Sequence, residues 1–137
     1  MIFHFIGIFK QDQLVGVAVS QFLDLSSITS FGERDHRFKT LIRSYAFKNI
    51  SSKVLVIGNN MLTGQNGYIF TDELKEDQGF IILKDAVNSI RSILSKIGLK
   101  PQLIIFKDYS KVAVSLFDKT AFKSYFTFTT QPNMVFT

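Results

Sequence analysis

The chain has 137 residues, of which 46% are hydrophobic, 20% charged and 14% aromatic. This length fits one domain, and this composition excludes a disordered or collagen-like chain. The absence of cysteine excludes a disulfide scaffold, a thiolate zinc site, an iron–sulfur cluster and a cysteine nucleophile. With only two histidines we predict no metal ligand, and the net charge of +5 favours anionic partners without requiring one.

The first part of the chain predicts a β-hairpin and then a helix. Residues 4–9 are apolar and predict a buried strand, residues 10–13 predict a polar turn, and residues 14–25, rich in valine and phenylalanine, predict a longer strand. Residues 33–48 carry apolar side chains at helical spacing and predict a helix.

The second part predicts two buried strands that flank a long helix. Residues 53–57 are nearly all apolar, as in a central strand, and are followed by a loop at 58–67 and a short extended piece at 68–70. A helix over 78–97 is predicted to bury one stripe and expose Lys84, Arg91 and Ser95. Residues 102–106 predict a strand that lies parallel to 54–57, because a helix-length connection joins the two. The predicted stripe consists of Leu83, Val87, Ile90, Leu94 and Ile97.

The last residues complete an α+β (α/β-like) order with a mixed central sheet flanked by helices. Residues 111–120 fit either a helix or a loop, and residues 124–129 alternate polar and aromatic side chains as a half-buried strand does. Because the chain starts inside a strand and stops on the apolar run 134–137, we expect a domain truncated at both ends.

Four stretches carry a family pattern: residues 16–25 (GVAVSQFLDL), 56–67 (VIGNNMLTGQNG), 106–109 (FKDY) and 126–135 (FTFTTQPNMV). They resemble the FemAB-like, GNAT-type acyltransferases of bacteria, which are often labelled peptidoglycan biosynthesis or recognition proteins. The resemblance covers nearly the whole chain. It implies the GNAT acyltransferase fold for residues 1–137 as a single domain, either a fragment or one half of a twin-domain protein.

The chain departs from the family pattern in two places. The arginine-containing phosphate loop of the family is missing, because no arginine stands among Gly58, Gly64 and Gly67. The first strand and helix of a full GNAT domain are also missing upstream. The identity of the acyl donor therefore stays open.

The function that the resemblance implies is transfer of an acyl or aminoacyl group from a CoA thioester or an aminoacyl-tRNA to an amine. The implied partners are the acyl donor, the amine acceptor and a second GNAT-like half of the same protein. The only nucleic acid that the resemblance implies is tRNA, and it implies no covalently bound cofactor. The longest apolar stretch, residues 1–9, is far shorter than the roughly 20 residues that span a bilayer. We therefore expect no transmembrane segment and a cytoplasmic location.

The predicted donor site is the loop that follows the strand at 53–57. Backbone N–H groups freed by glycines can cradle a phosphate, and the loop adds neutral amide and hydroxyl groups. The alternative is a plain hairpin turn, which the pair Asn66 and Gly67 favours, and the acidic cluster at 72–77 disfavours a phosphate near the following helix. The predicted donor-binding residues are Gly58, Asn59, Asn60, Thr63, Gly64, Gln65, Asn66 and Gly67.

The predicted catalytic residues are Asp108, as the base that frees the acceptor amine, and Tyr109, as the acid that protonates the leaving group. The alternative is a solvated strand end. Glu33 and His36 form a second candidate pair, for which a helix-capping region is the alternative.

Two other classes of function compete with the acyltransferase. One is a non-catalytic binding module that needs a partner half. The other is a nucleic-acid-binding domain, suggested by the basic segment 34–53, for which a solvated helix face is the alternative.

Overall fold

The computed structural model describes residues 1–26, 52–59, 67–119 and 125–127. These residues form five strands and two helices, an α+β arrangement with one mixed sheet. The predicted helix over 33–48 lies outside the described residues. The elements in chain order are β1 (Ile2–Lys10), β2 (Gln13–Asp24), β3 (Lys53–Ile57), β4 (Tyr68–Phe70), α1 (Glu76–Lys96), β5 (Leu103–Phe106) and α2 (Lys111–Lys119).

The predicted hairpin at the start of the chain is confirmed. β1 and β2 pair antiparallel through a two-residue turn in which Gln11 and Asp12 both have positive φ, 47° and 67°. Two consecutive positive φ values match the right-handed twist of the flanking strands, so the turn keeps the pair in register. A bulge at Val15 shifts that register between Ile8 and Phe9.

The sheet order is β1-β2-β3-β5, with β4 also paired to β2. β3 and β5 run parallel, from Val54 opposite Leu103 to Ile57 opposite Phe106, and α1 connects them along the chain. This register confirms the prediction that the two strands are parallel neighbours. The segment containing α1 is the long connection that a parallel pair needs.

The predicted long helix is α1, which begins two residues earlier than expected and ends at Lys96. Leu83, Val87 and Leu94 are buried and Ile90 is half-buried, as the stripe predicts. The prediction that Ile97 is buried is wrong, because its side chain is 63% exposed. Ile97 caps the helix, and Gly98 then turns the chain away at φ +81°. Arg91 is exposed, and Lys84 and Ser95 are only partly covered.

One side of the sheet packs on α1 and forms the core. Side chains of β1 and β2 that point to this side, such as Ile6, Ile8 and Phe22, join Leu55 and Ile57 of β3 and Phe80 of α1. The interpretation of residues 4–9 as a wholly buried strand is wrong for alternate positions, because Phe5 and Phe9 point to the opposite side and are exposed. A strand sends successive side chains to opposite faces, and here both faces are apolar.

The end of the described chain resolves one open alternative. Residues 111–120, left open between helix and loop, contain the helix α2. Of the strand predicted at 124–129, residues 125–127 are described and belong to no strand. Within the part of the chain that the structure describes, neither helix is long and apolar enough to span a bilayer.

Candidate functional site

Two strands, β3 and β4, pair one after the other with the same edge of β2, and the strand pairing is interrupted between them. β3 pairs with β2 residues 20–24 and β4 pairs with β2 residues 16–18, both antiparallel and both on the edge of β2 that faces away from β1. Between them, Gly58 N–H donates to Val19 O and Val19 N–H donates to Gly67 O, each at 3.0 Å. β3 and β4 thus follow one another along the same edge of β2, and Gly58 and Gly67 meet Val19 between them.

Two glycines make this interruption possible. Gly58 has φ +125°, a conformation that other residues rarely adopt, and a Cβ atom there would lie 3.0 Å from Lys107 O. A Cβ atom on Gly67 would lie 3.0 Å from the Cα atom of Gly58. The two ends of the predicted donor loop are therefore in direct backbone contact.

The strand β5 diverges from this line just beyond the interruption. Lys107 N–H still donates to Ile57 O at 3.0 Å, which extends the parallel ladder by one bond. The next residue, Asp108, has φ +60°, so the backbone turns there, and β5 pairs with β3 but not with β4 in the described sheet. β4 and the segment after β5 therefore separate, and Asp108 and Tyr109 stand at the point of separation.

Aromatic rings lie across this separation. The ring of Tyr109 stacks on that of Tyr68 in β4, with centroids 5.1 Å apart and planes 20° apart, and Phe80 and Phe106 pack against the pair. The hydroxyl oxygen of Tyr109 is buried. Burial raises the pKa of Tyr109, and the neighbouring Tyr68 adds to that shift, so the phenol stays protonated at neutral pH.

The carboxylate of Asp108 forms an ion pair with its neighbour in the chain. Lys107 Nζ lies 2.5 Å from Asp108 Oδ2, and both side chains are partly covered. The Lys107 ammonium therefore occupies one oxygen of the Asp108 carboxylate.

The start of α1 next to the site is acidic. Glu76 and Asp77 occupy its first turn, and no side chain caps the helix at Lys75. Tyr68 Oη donates to Glu76 Oε1 at 2.8 Å, and burial, this hydrogen bond and the Glu76 charge raise the pKa of Tyr68. Negative side chains already stabilise this helix end, and they would repel a phosphate placed there.

The structure brings together five of the ten predicted site residues. Gly58, Asn59 and Gly67 lie at the interruption, where Gly58 approaches Lys107, the neighbour of Asp108, and Tyr109 stacks on Tyr68, the neighbour of Gly67. Asn59 Oδ1 accepts a hydrogen bond from Gln21 Nε2 at 3.5 Å. The remaining donor residues fall outside the described residues, and so do the alternative pair of Glu33 and His36 and nearly all of the basic segment. Those remaining donor residues are Asn60, Thr63, Gly64, Gln65 and Asn66.

Sequence reasoning missed two side chains of this region, Tyr68 and Phe80, and it identified Glu76 only as part of the acidic cluster at 72–77. Phe80 stands three residues before Leu83, so extending the predicted stripe one turn backward would have found it. Tyr68 and Glu76 meet only because β4 lies beside the start of α1, and no local pattern signals that contact. Among the described residues, no group of three or more metal-ligating side chains occurs.

In comparisons with known proteins, the chain matches no family model, no curated protein sequence and no solved structure.

Proposed function

We propose that this chain is a GNAT-type N-acyltransferase domain that binds its acyl donor where β3 gives way to β4. The observation that carries the proposal is the break of one strand line at Gly58 beside a parallel strand that diverges at Asp108. Ligands of sheets with parallel strands favour the carboxyl ends of those strands, and β3 and β5 both end here. The resemblance at residues 56–67 and 106–109 falls on the same two strand ends.

The reaction would join the acceptor nitrogen to the acyl carbon of the donor. The C–S bond of a CoA thioester, or the ester C–O bond of an aminoacyl-tRNA, breaks as this bond forms. Asp108 would take the proton that the amine loses, and Tyr109 would give a proton to the departing sulfur or oxygen. The raised pKa of Tyr109 keeps its phenol protonated but also makes it a weaker acid, and its buried hydroxyl requires the ring to move when the donor binds. Both donors are cytoplasmic metabolites, so the proposal places the chain in the cytoplasm.

A second function, a non-catalytic binding module of the same type, is favoured by a different observation. The stacked Tyr68 and Tyr109 rings lie in the separation of the strands, and Lys107 holds Asp108. In such a module the aromatic pair is permanent packing, and a separate GNAT-like half supplies the chemistry.

Donor binding is the first test. Acetyl-CoA, free CoA and an aminoacyl-tRNA are each added to the chain, and the thermal unfolding midpoint is measured. A donor at 100 times its Kd stabilises the folded state by about 2.7 kcal/mol, which raises the midpoint by several degrees. If no donor shifts the midpoint, the acyltransferase proposal fails.

Turnover with matched variants separates the two functions. Asp108→Asn and Tyr109→Phe should each slow acyl transfer by about a hundredfold or more with little loss of donor affinity. Asp85→Asn, which removes an exposed carboxylate from α1, is the control and should leave the rate unchanged. A chain that binds a donor but transfers nothing to any amine would instead support the binding module.

A further inference from the structure

The β1–β2 hairpin presents a second apolar surface on the side of the sheet away from the core. The pairing register sets Phe5 opposite Val19, Phe9 opposite Leu14, and Val17 between Gly7 of β1 and Ile69 of β4. Residues directly opposite each other share one face of a sheet. The side chains that are exposed here, which we call the apolar face, are Phe3, Phe5, Phe9, Leu14, Val17 and Ile69.

The side chains of the apolar face form one continuous surface across three strands. A Cβ atom on Gly7 would lie 2.8 Å from Phe9 Cε2 and 3.5 Å from Leu14 Cδ1, so the ring of Phe9 folds over Gly7 toward β2. Val17 then links this ring to Ile69 of β4. No lysine, arginine, aspartate or glutamate belongs to this set.

The same side of the sheet is covered farther along. Gln21 pairs with Val56, and both are buried, as is Val54. Nearer the turn of the hairpin this side is exposed: Phe5 of β1 is 85% exposed and Ile69 of β4 is 69% exposed. A contiguous apolar surface of several hundred Å² on a folded domain marks an interaction site.

We propose that the apolar face is an interface with a second copy of this chain, which packs face to face across a two-fold axis. Taking about 200 Å² for a fully exposed phenylalanine, the six side chains offer on the order of 700 Å². A stable interface buries about 800 Å² on each partner, so this one surface nearly suffices. Two sheets that pack in this way lie about 10 Å apart, with their side chains interleaved.

The scarcity of charge on the described part of β1 and β2 favours a second copy over a lipid surface. Lipid headgroups attract a rim of lysine and arginine around an apolar patch. Of the described residues on β1 and β2, only Lys10 is basic, and it lies at the turn. An isologous interface, by contrast, buries the same apolar surface on both copies, and a charge near its two-fold axis would meet its own copy.

Two surface variants test this dimer. The molar mass of the chain is measured by light scattering and sedimentation equilibrium up to about 100 μM, where an interface of this size associates. Phe5→Asp and Ile69→Lys should each raise the dimer Kd by about tenfold or more, because each buries a charge at the interface. Val112→Lys, at an equally exposed apolar residue on α2, is the control and should leave Kd unchanged. Far-UV circular dichroism checks that each variant is folded.

The position of Ile69 separates face-to-face packing from pairing along the β1 edge. Strands lie about 4.8 Å apart, so Ile69 is two strands, roughly 10 Å, from that edge and stays exposed in an edge-paired dimer. A dimer that is weakened by Phe5→Asp but not by Ile69→Lys therefore overturns the proposal. So does a chain that stays monomeric at every concentration, or one that remains monomeric and sediments with vesicles of anionic lipid.

Discussion

The two sides of the β1–β2 hairpin have nearly the same composition and opposite environments. Toward α1, Ile8 and Phe22 are almost completely buried, whereas Phe5 and Phe9 on the other side are mostly exposed. The difference lies in what covers each side and not in the residues themselves, since α1 packs on only one of them. Hydrophobic residues in a strand therefore indicate that a surface will be covered, but not whether the same chain covers it.

The largest expected difference in stability is between alanine variants of two phenylalanines in this hairpin. Phe22→Ala should lower the free energy of unfolding by about 3–5 kcal/mol, because the ring is only 2% exposed and its loss leaves a cavity. Phe5→Ala should change it by less than about 0.5 kcal/mol in the monomer. Urea unfolding of dilute protein measures both. Similar losses at the two positions would show that the two sides do not differ as described.

An intermediate effect is expected at Gly58, where two strand ends approach without any side chain between them. Gly58→Ala should destabilise the fold by about 1–3 kcal/mol, from its φ of +125° and from the 3.0 Å approach to Lys107 O. Gly98→Ala is the matched control, because Gly98 also has a positive φ but no atom within 4 Å of a Cβ.

The difference between these two glycine variants isolates the backbone contact from the strain. Gly98→Ala should cost about 1 kcal/mol and Gly58→Ala clearly more. Equal losses of unfolding free energy for the two variants, measured by urea unfolding, would show that Lys107 O moves away from a new Cβ atom at little energetic cost.

The smallest effect concerns His4, the polar residue on the buried side of β1. Its Nδ1 lies 3.1 Å from Ser20 Oγ, and burial lowers its pKa below the ordinary 6.5. The unfolded chain then binds a proton more readily than the folded one, so stability falls as the pH drops below about 6.5. This loss ends once the pH is below the folded-state pKa.

Comparison with a variant isolates this residue from other titrating groups. Wild-type chain and His4→Gln are unfolded with urea at pH 7.5 and at pH 5.5. The wild type should lose slightly more stability between the two values, and only slightly, because His4 is partly exposed. A wild-type loss equal to or smaller than that of the variant would contradict the assignment.

Local sequence patterns predicted most of the described elements but not what covers them. The parallel pair of β3 and β5 followed from two apolar runs and the helix-length connection between them. Ile97 continued the apolar spacing of α1, yet Gly98 ends the helix first. The exposed Phe5 and Phe9 fit a buried strand as well as an exposed one, since periodicity reports apolarity and not burial.

The sequence predicted only those features of the candidate site that depend on residues close together in the chain. Glycines after a buried strand predicted a loop at 58–67, of which only Gly58, Asn59 and Gly67 are described, and Gly58 and Gly67 both bond to Val19. The contact between these two glycines, however, depends on Val19 of β2, and the stacking of Tyr109 on Tyr68 depends on where β4 lies. Both are long-range effects of pairing, which no spacing along the chain encodes.

Because Gly58 and Gly67 are in contact, the stability of the sheet should depend little on the length of the segment that connects them. A loop whose two ends already meet adds little strain when it is extended, and each doubling of its length costs only about 0.6 kcal/mol. The pairing of β2 with β3 and β4 on either side of this contact should therefore tolerate changes in the length of the connecting segment at small cost to the fold. Evolution, or an engineer, could alter the recognition properties of this position while the scaffold beneath it stays unchanged.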